Sequence, residues 1–279
     1  THDYRNATLS FNRVVILKQL IVHAYTNLSS CMIELEHYES ATDNSKKALV
    51  LEPSFATAYN NFGVSKHREG ERLEAAQIIK RATLINLEYS EAYVNLANSL
   101  FKIGKLNTAI ANYRKALLLE PNDSSTLNNH GNSLKTIGKS SYAEASYRRA
   151  LSIDPDLTEF QKNLAELYKT MGDHDKALLI CTSFEPLAQS ALALECLYTL
   201  GRHDDFRRAT KIAASKNKKD LRIAAISAFA SNQTNAIDLY PFCPDPLKYI
   251  SVSSIASYEG VTTDFFEKVI QESEEKNLI

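Results

Sequence analysis

The sequence predicts an all-α fold, a solenoid of stacked antiparallel helix pairs, and three observations carry the prediction. Gly70, Gly104, Gly138 and Gly172 recur 34 residues apart. Pro121 and Pro155 recur at the same interval, with Pro53 two such steps before Pro121. Only 8 glycines and 7 prolines occur in 279 residues, too few for the tight turns of an all-β fold. Repetition at this period marks one supersecondary unit that cannot bury its apolar faces alone and stacks on copies of itself.

In register, the units are residues 22–55, 56–89, 90–123, 124–157 and a shortened one from 158. Within each, AYVNLANSLFKI at 92–103 and LNTAIANYRKALLL at 106–119 being the clearest case, two segments with apolar residues at helical spacing flank the glycine. Glycine there permits positive φ at the end of the first helix, and proline near the end of the unit stops the second. Ala41, Ala75, Ala109, Ala143 and Ala177 form one small-residue column, and Ala48, Ala82, Ala116 and Ala150 form another, so helices approach closely at both. Tyr59, Tyr93, Tyr113 and Tyr147 sit in the packing columns and read as core. Unit five meets Pro186 early, and Gly201 follows Gly172 sooner than a full period would bring it, so its second helix is short.

The segments AYNNFG, AYVNLA, GKLNTAIANYRKALLLEP and IGKSSYAEASYRRALSIDP resemble the tetratricopeptide repeat family over roughly residues 1–215. The resemblance implies a right-handed superhelix with a concave groove lined by the first helices. It also divides the chain. Residues 1–21, with Tyr4 and Ala7 in the expected columns, are read as the second helix of a truncated repeat, and residues 22–189 as five units. Residues 190–231 become a degenerate sixth unit and a capping helix, with Leu194 and Phe206 where the family has small residues. Residues 232–279 become a proline-containing connector and a C-terminal amphipathic helix over 263–277.

Charge and motifs exclude several function classes. With 32 basic and 33 acidic side chains the net charge is −1, without the footprint of a general nucleic-acid binder or a polybasic membrane-surface protein. No run of about 18 apolar residues occurs, so the expectation is a cytoplasmic protein with no membrane and no nucleic-acid partner. Cys31, Cys181, Cys196 and Cys243 lie far apart without zinc-like spacing, so no disulfide framework or metal site is expected. Phosphate-loop, nucleophile-elbow and zincin motifs are missing, and the expectation is a non-catalytic chain with no cofactor. His203-Asp204-Asp205 supplies the H-x-D spacing of an iron site, but no histidine follows it, and it reads as a polar turn.

Asparagine stands out. Asn27, Asn61, Asn95, Asn129 and Asn163 occupy the sixth position of five successive units, which the resemblance places on the first helix facing the groove. Repeats at helix contact distance, roughly 8 to 10 Å, set successive amides about three residues of extended peptide apart. The column is similar to the asparagine ladder of O-linked N-acetylglucosamine transferases, which implies main-chain capture of an extended partner; alternatively the same amides bond neighbouring helices within the stack. Further groove candidates are Asn60, Asn98, Asn128, Asn132, Lys135 and Lys169, with His67, Arg68 and Lys102 at the rim. Val94, Glu159 and Asn163 stand where the family's carboxylate clamp needs basic residues, which argues against chaperone C-terminal tails as partners.

The function read from these residues is a protein interaction module that binds an extended peptide or partner in its groove. The alternative is the recruiting region of a larger enzyme, either a glycosyltransferase of the kind above or an iron(II) and 2-oxoglutarate oxygenase. PFCPDPLKYI at 241–250 weakly resembles the connector of bacterial oxygenases that carry such repeats. A start inside a repeat and a continuation past the repeats lead to the expectation that the chain is a fragment of a longer protein.

Overall fold

A computed structural model describes residues 2–184, 186–187, 190–216 and 221–234. Among these residues there are thirteen helices and no strand. They are α1 (His2–Glu34), α2 (Tyr38–Leu51), α3 (Ala56–Arg68), α4 (Arg72–Ile85), α5 (Ser90–Lys102), α6 (Leu106–Leu119), α7 (Ser124–Thr136) and α8 (Ser140–Ile153). There follow α9 (Thr158–Thr170), α10 (His174–Phe184), α11 (Ala191–Thr199), α12 (His203–Lys216) and α13 (Leu221–Thr234). The chain is an all-α solenoid of helix pairs. The connector and helix expected after Thr234 lie outside the described residues.

The chain divides into two compact units, Thr1–Phe184 and Glu185–Ile279. In the first, each first helix packs on its own second helix, each second helix packs on the first helix of the next pair, and successive first helices touch more lightly. The core is shared accordingly. Ile79 of α4, Leu96 and Leu100 of α5 and Tyr113 of α6 form one buried cluster, and Leu127, Ala150 and Phe160 join α7, α8 and α9 in another. No pair closes a core of its own, as the repeat pattern requires. In the second unit α11, α12 and α13 contact one another. Leu194 and Phe206 are buried there, and the Tyr198 ring meets Phe206 and Phe229 edge-on at 5.8 and 5.9 Å.

The glycine column works as expected. Gly70, Gly104, Gly138 and Gly172 have φ of 93°, 78°, 75° and 80°. At the first of these the Gly70 N–H donates to the His67 carbonyl at 3.1 Å and the Glu71 N–H to the Lys66 carbonyl at 3.0 Å, a Schellman closure of α3. The same closure ends the helical part of α1, where the Glu36 N–H donates to Ile33 and the His37 N–H to Met32. Here the left-handed residue is Glu36, φ 61°, one repeat period before Gly70. A side chain in this region costs about 1 to 2 kcal/mol, so Glu36→Gly is expected to raise stability by about 1 kcal/mol once the extra freedom of glycine in the unfolded chain is subtracted. The check is a higher urea midpoint with an unchanged slope.

The boundary expected between residues 21 and 22 is not a break in the backbone: α1 runs unbroken from His2 to Glu34. The later units end on an extended residue before proline, as at Glu52, Glu120 and Asp154. Where Leu87 replaces the proline, the Asn86 side chain accepts the Glu88 N–H at 3.0 Å and holds the turn instead. Lys18-Gln19-Leu20, the corresponding stretch of α1, has neither device, and the helix continues. The second helix of unit five, α10, ends early at Phe184, just ahead of Pro186.

Candidate functional site

The first helices α3, α5 and α7 border an open concavity of about 340 Å³. Asn95, Asn98, Asn129 and Asn132 line it, together with His67, Arg68, Lys102, Val64, Phe101, Ile79 and Tyr113. Of the residues singled out in the sequence, these four asparagines and the three basic residues are brought together. Asn27, Asn60, Asn61, Asn128, Asn163, Lys135 and Lys169 do not line the concavity.

Two of the asparagines are held by tyrosines. The Tyr113 hydroxyl donates to Asn98 Oδ1 at 2.5 Å, and the Tyr147 hydroxyl donates to Asn132 Oδ1 at 2.6 Å. Both tyrosines are almost completely buried, and burial pushes both phenols well above their ordinary range, so they remain donors at any working pH. The carbonyl end of each amide is thereby fixed. The Nδ2 groups of Asn98 and Asn132 have no partner among the described residues, and both side chains are only half-buried. These two amides therefore present donors one repeat apart in the stack.

The sixth-position column behaves differently from unit to unit. Asn61 donates to the Thr26 carbonyl at 3.1 Å and to Ser30 Oγ at 2.8 Å, both on α1. Asn95 donates to Asn60 Oδ1 at 3.1 Å, and Asn163 donates to Asn128 Oδ1 at 2.9 Å. Asn60 and Asn128 are buried in this role, the former also donating to Glu91 at 3.1 Å. Three of the five asparagines thus bond the preceding repeat, the structural alternative raised by the sequence. Asn129 is the exception. The acceptor that Asn60 and Asn128 supply to Asn95 and Asn163 is replaced in unit three by Val94, so the half-buried Asn129 amide makes no side-chain bond among the described residues. Asn27 is exposed on α1, and Lys169 pairs with Glu166 at 3.6 Å.

The concavity is electropositive. Arg68 and Lys102 pair with no carboxylate among the described residues, and no acidic side chain lines the cavity. His67 accompanies them as a neutral ring. Its Nδ1 lies 2.9 Å from Ser99 Oγ, whose proton goes to the Asn95 carbonyl, so the histidine is the donor. Burial first, then Arg72, Arg68 and Lys102, hold its pKa below the usual histidine value. The arrangement offers amide donors and two cations to an acceptor-rich ligand.

The core pattern alone does not show that Tyr113 and Tyr147 also orient amides. The sequence does carry a signal for this second role, because Asn98 stands as far before Tyr113 as Asn132 stands before Tyr147, while the equivalent pair in unit two is Val64 and Ile79. The H-x-D at His203 begins α12, where Asp205 pairs with Arg202 at 2.6 Å and with Arg208. Among the described residues no cluster of three or more His, Cys, Asp or Glu side chains could hold a metal, and no helix is long and apolar enough to cross a membrane.

Residues 90–123 and 124–157 each match a family profile described as tetratricopeptide repeat. No curated protein matches the chain in sequence. Among solved structures, PilF of Pseudomonas aeruginosa is similar with a TM-score of 0.63 and 17% identity, over 76% of this chain and 99% of its own. YrrB, described as a TPR protein with an unusual peptide-binding site, is similar with a TM-score of 0.55 and 22% identity, over 66% and 96%. MamA is similar with a TM-score of 0.52 and 19% identity, over 62% and 96%. At these identities the likeness is one of fold.

Proposed function

We propose that this chain, a tetratricopeptide repeat protein, is an interaction module that takes an extended polypeptide along the groove bordered by α3, α5 and α7. The observation that carries the reading is the pair of tyrosine-oriented amides at Asn98 and Asn132, with the unengaged Asn129 beside the second. Repeats about 10 Å apart match three residues of extended chain at about 3.3 Å each. Peptide carbonyls spaced in that way accept from both Nδ2 groups in turn, and Asn129 both donates to and accepts from the same backbone. Recognition through the main chain is tolerant of sequence, while Arg68 and Lys102 favour an acidic residue toward the α3 end. The role is recognition, and no chemical step is assigned to the chain.

The test begins with peptides selected on the wild-type protein from a random library. Each net hydrogen bond contributes about 0.5 to 1.5 kcal/mol, so the variant Asn98→Ala/Asn129→Ala/Asn132→Ala is expected to weaken binding by about tenfold or more in calorimetry, with its melting temperature nearly unchanged. Asn95→Ala should do the reverse, lowering stability through the lost bond to Asn60 while the peptide still binds. Undiminished affinity in the triple variant would remove the groove amides from recognition.

A further inference from the structure

The first helices of successive pairs touch one another, α3 with α5 and α5 with α7, whereas successive second helices make no substantial contact. The second helices therefore lie at the wider radius of this unit and expose an outer face. On α4 that face carries Lys80 and Arg81, and on α6 Arg114 and Lys115, at equivalent positions of successive repeats, all four exposed. One turn further along stand Leu84 and Leu118, which are 66% and 76% exposed. Spacings of three and four residues put each leucine on the same side as its two cations. Among the described residues the charged groups of Lys80, Arg114 and Lys115 form no ion pair or hydrogen bond, and α6 has no acidic residue at all. The one acidic residue of α4, Glu74, is exposed two turns before Arg81 on the same side.

We infer that the outer face of α4 and α6 docks on an anionic lipid bilayer surface, the four cations meeting headgroups while Leu84 and Leu118 enter the headgroup and acyl boundary. Charge complementarity selects an anionic partner, and the leucines select among anionic partners. Side chains exposed to this degree have no walls beside them, so they form no pocket into which a protein partner's residue could fit. Nor does the face offer a nucleic acid its stacking platform, because Tyr113, the tyrosine next to Arg114, is buried. Cations flanking aliphatic side chains on one helix face are the composition of interfacial attachment. This surface is separate from the groove, and a ligand in the groove leaves it free.

Sedimentation with vesicles of phosphatidylcholine containing about one third phosphatidylserine, against phosphatidylcholine alone, tests the inference. The protein is expected to sediment with the anionic vesicles only, and to be released by high salt. Cations near such a surface contribute about fivefold each, so Lys80→Gln/Arg114→Gln/Lys115→Gln is expected to weaken binding by about 100-fold. Leu84→Ser/Leu118→Ser, with all charges kept, is expected to weaken it by about tenfold. All five positions are exposed, and an unchanged helical circular dichroism spectrum confirms that the variants fold. Failure to sediment with anionic vesicles, or undiminished sedimentation of the charge variant, overturns the inference. So does a leucine variant that binds like wild type, and so does tighter binding to a single-stranded oligonucleotide than to the vesicles.

Discussion

Replacement of His130 by leucine is expected to stabilise the protein at neutral pH and to remove most of its sensitivity to mild acid. His130 is buried in α7 at the position that Leu96 and Leu164 fill one repeat to either side. Its Nδ1 lies 3.1 Å from Ser146 Oγ, and because that hydroxyl donates to the Tyr142 carbonyl at 3.0 Å, Nδ1 must carry the proton. Among the described residues Nε2 is left as a buried acceptor with no partner, which costs about 1 kcal/mol or more. Burial, with a smaller contribution from Arg114, lowers the histidine pKa to about 4. The unfolded value is about 6.5, so the folded state binds the proton more weakly than the unfolded state does. Its stability is complete above pH 6.5 and drains away as the pH falls toward 4, by about 2 kcal/mol when partial solvent access is allowed for. Urea midpoints measured from pH 7.5 to 4.5 are expected to slope downward in the wild type and much less in His130→Leu. Parallel slopes in the two proteins would place the acid sensitivity elsewhere.

Gly63→Val is expected to be strongly destabilising, at about 3 kcal/mol. A Cβ built at Gly63 falls 2.2 Å from Ile79 Cγ1 and 3.1 Å from the Ala75 carbonyl oxygen. Ile79 is fully buried and β-branched, so it has no alternative rotamer into which to withdraw. In the same register Ala97 coexists with Tyr113 in the next repeat, while a Cβ at Gly131 would meet the Tyr147 ring at 2.7 Å, so tolerance depends on how the facing side chain fits. Ile79→Ala should therefore reduce the cost of Gly63→Val by at least about 1 kcal/mol in a double-mutant cycle. An identical cost in both backgrounds would mean that something other than Ile79 opposes the added side chain, since helix propensity by itself favours valine over glycine.

The helix pairs and their turns were legible because each unit repeats the same solution. A glycine at positive φ and a pair of small residues are each enforced by local sterics, and four or five aligned copies make the requirement visible. Departures were harder to read. The fusion of residues 2–34 into one helix depends on what Lys18-Gln19-Leu20 lacks, and Glu36 in the glycine column depends on a backbone that tolerates strain. The asparagine column was visible as a column, but its use was not. An amide at Asn95 or Asn163 is indistinguishable in sequence from one at Asn129 until the fifth residue of the preceding unit is considered, and that residue is a contact across the stack. Likewise the tyrosines at 113 and 147 satisfy the core pattern so well that nothing in it points to their hydroxyls.

Val94 has a consequence for how such an array acquires its binding position. In units two and four the fifth residue is an asparagine that engages the amide of the next unit; in unit three it is a valine, and the next amide is released. Under the proposed function, occupancy of that one column would work as an address, with asparagine engaging the next amide and valine leaving it to a guest. Because every unit shares the same geometry, an exchange of valine and asparagine between repeats relocates the opening by one period while the scaffold stays as it is. A solenoid of nearly identical modules can in this way evolve a new ligand register by a pair of substitutions, without redesigning a single helix.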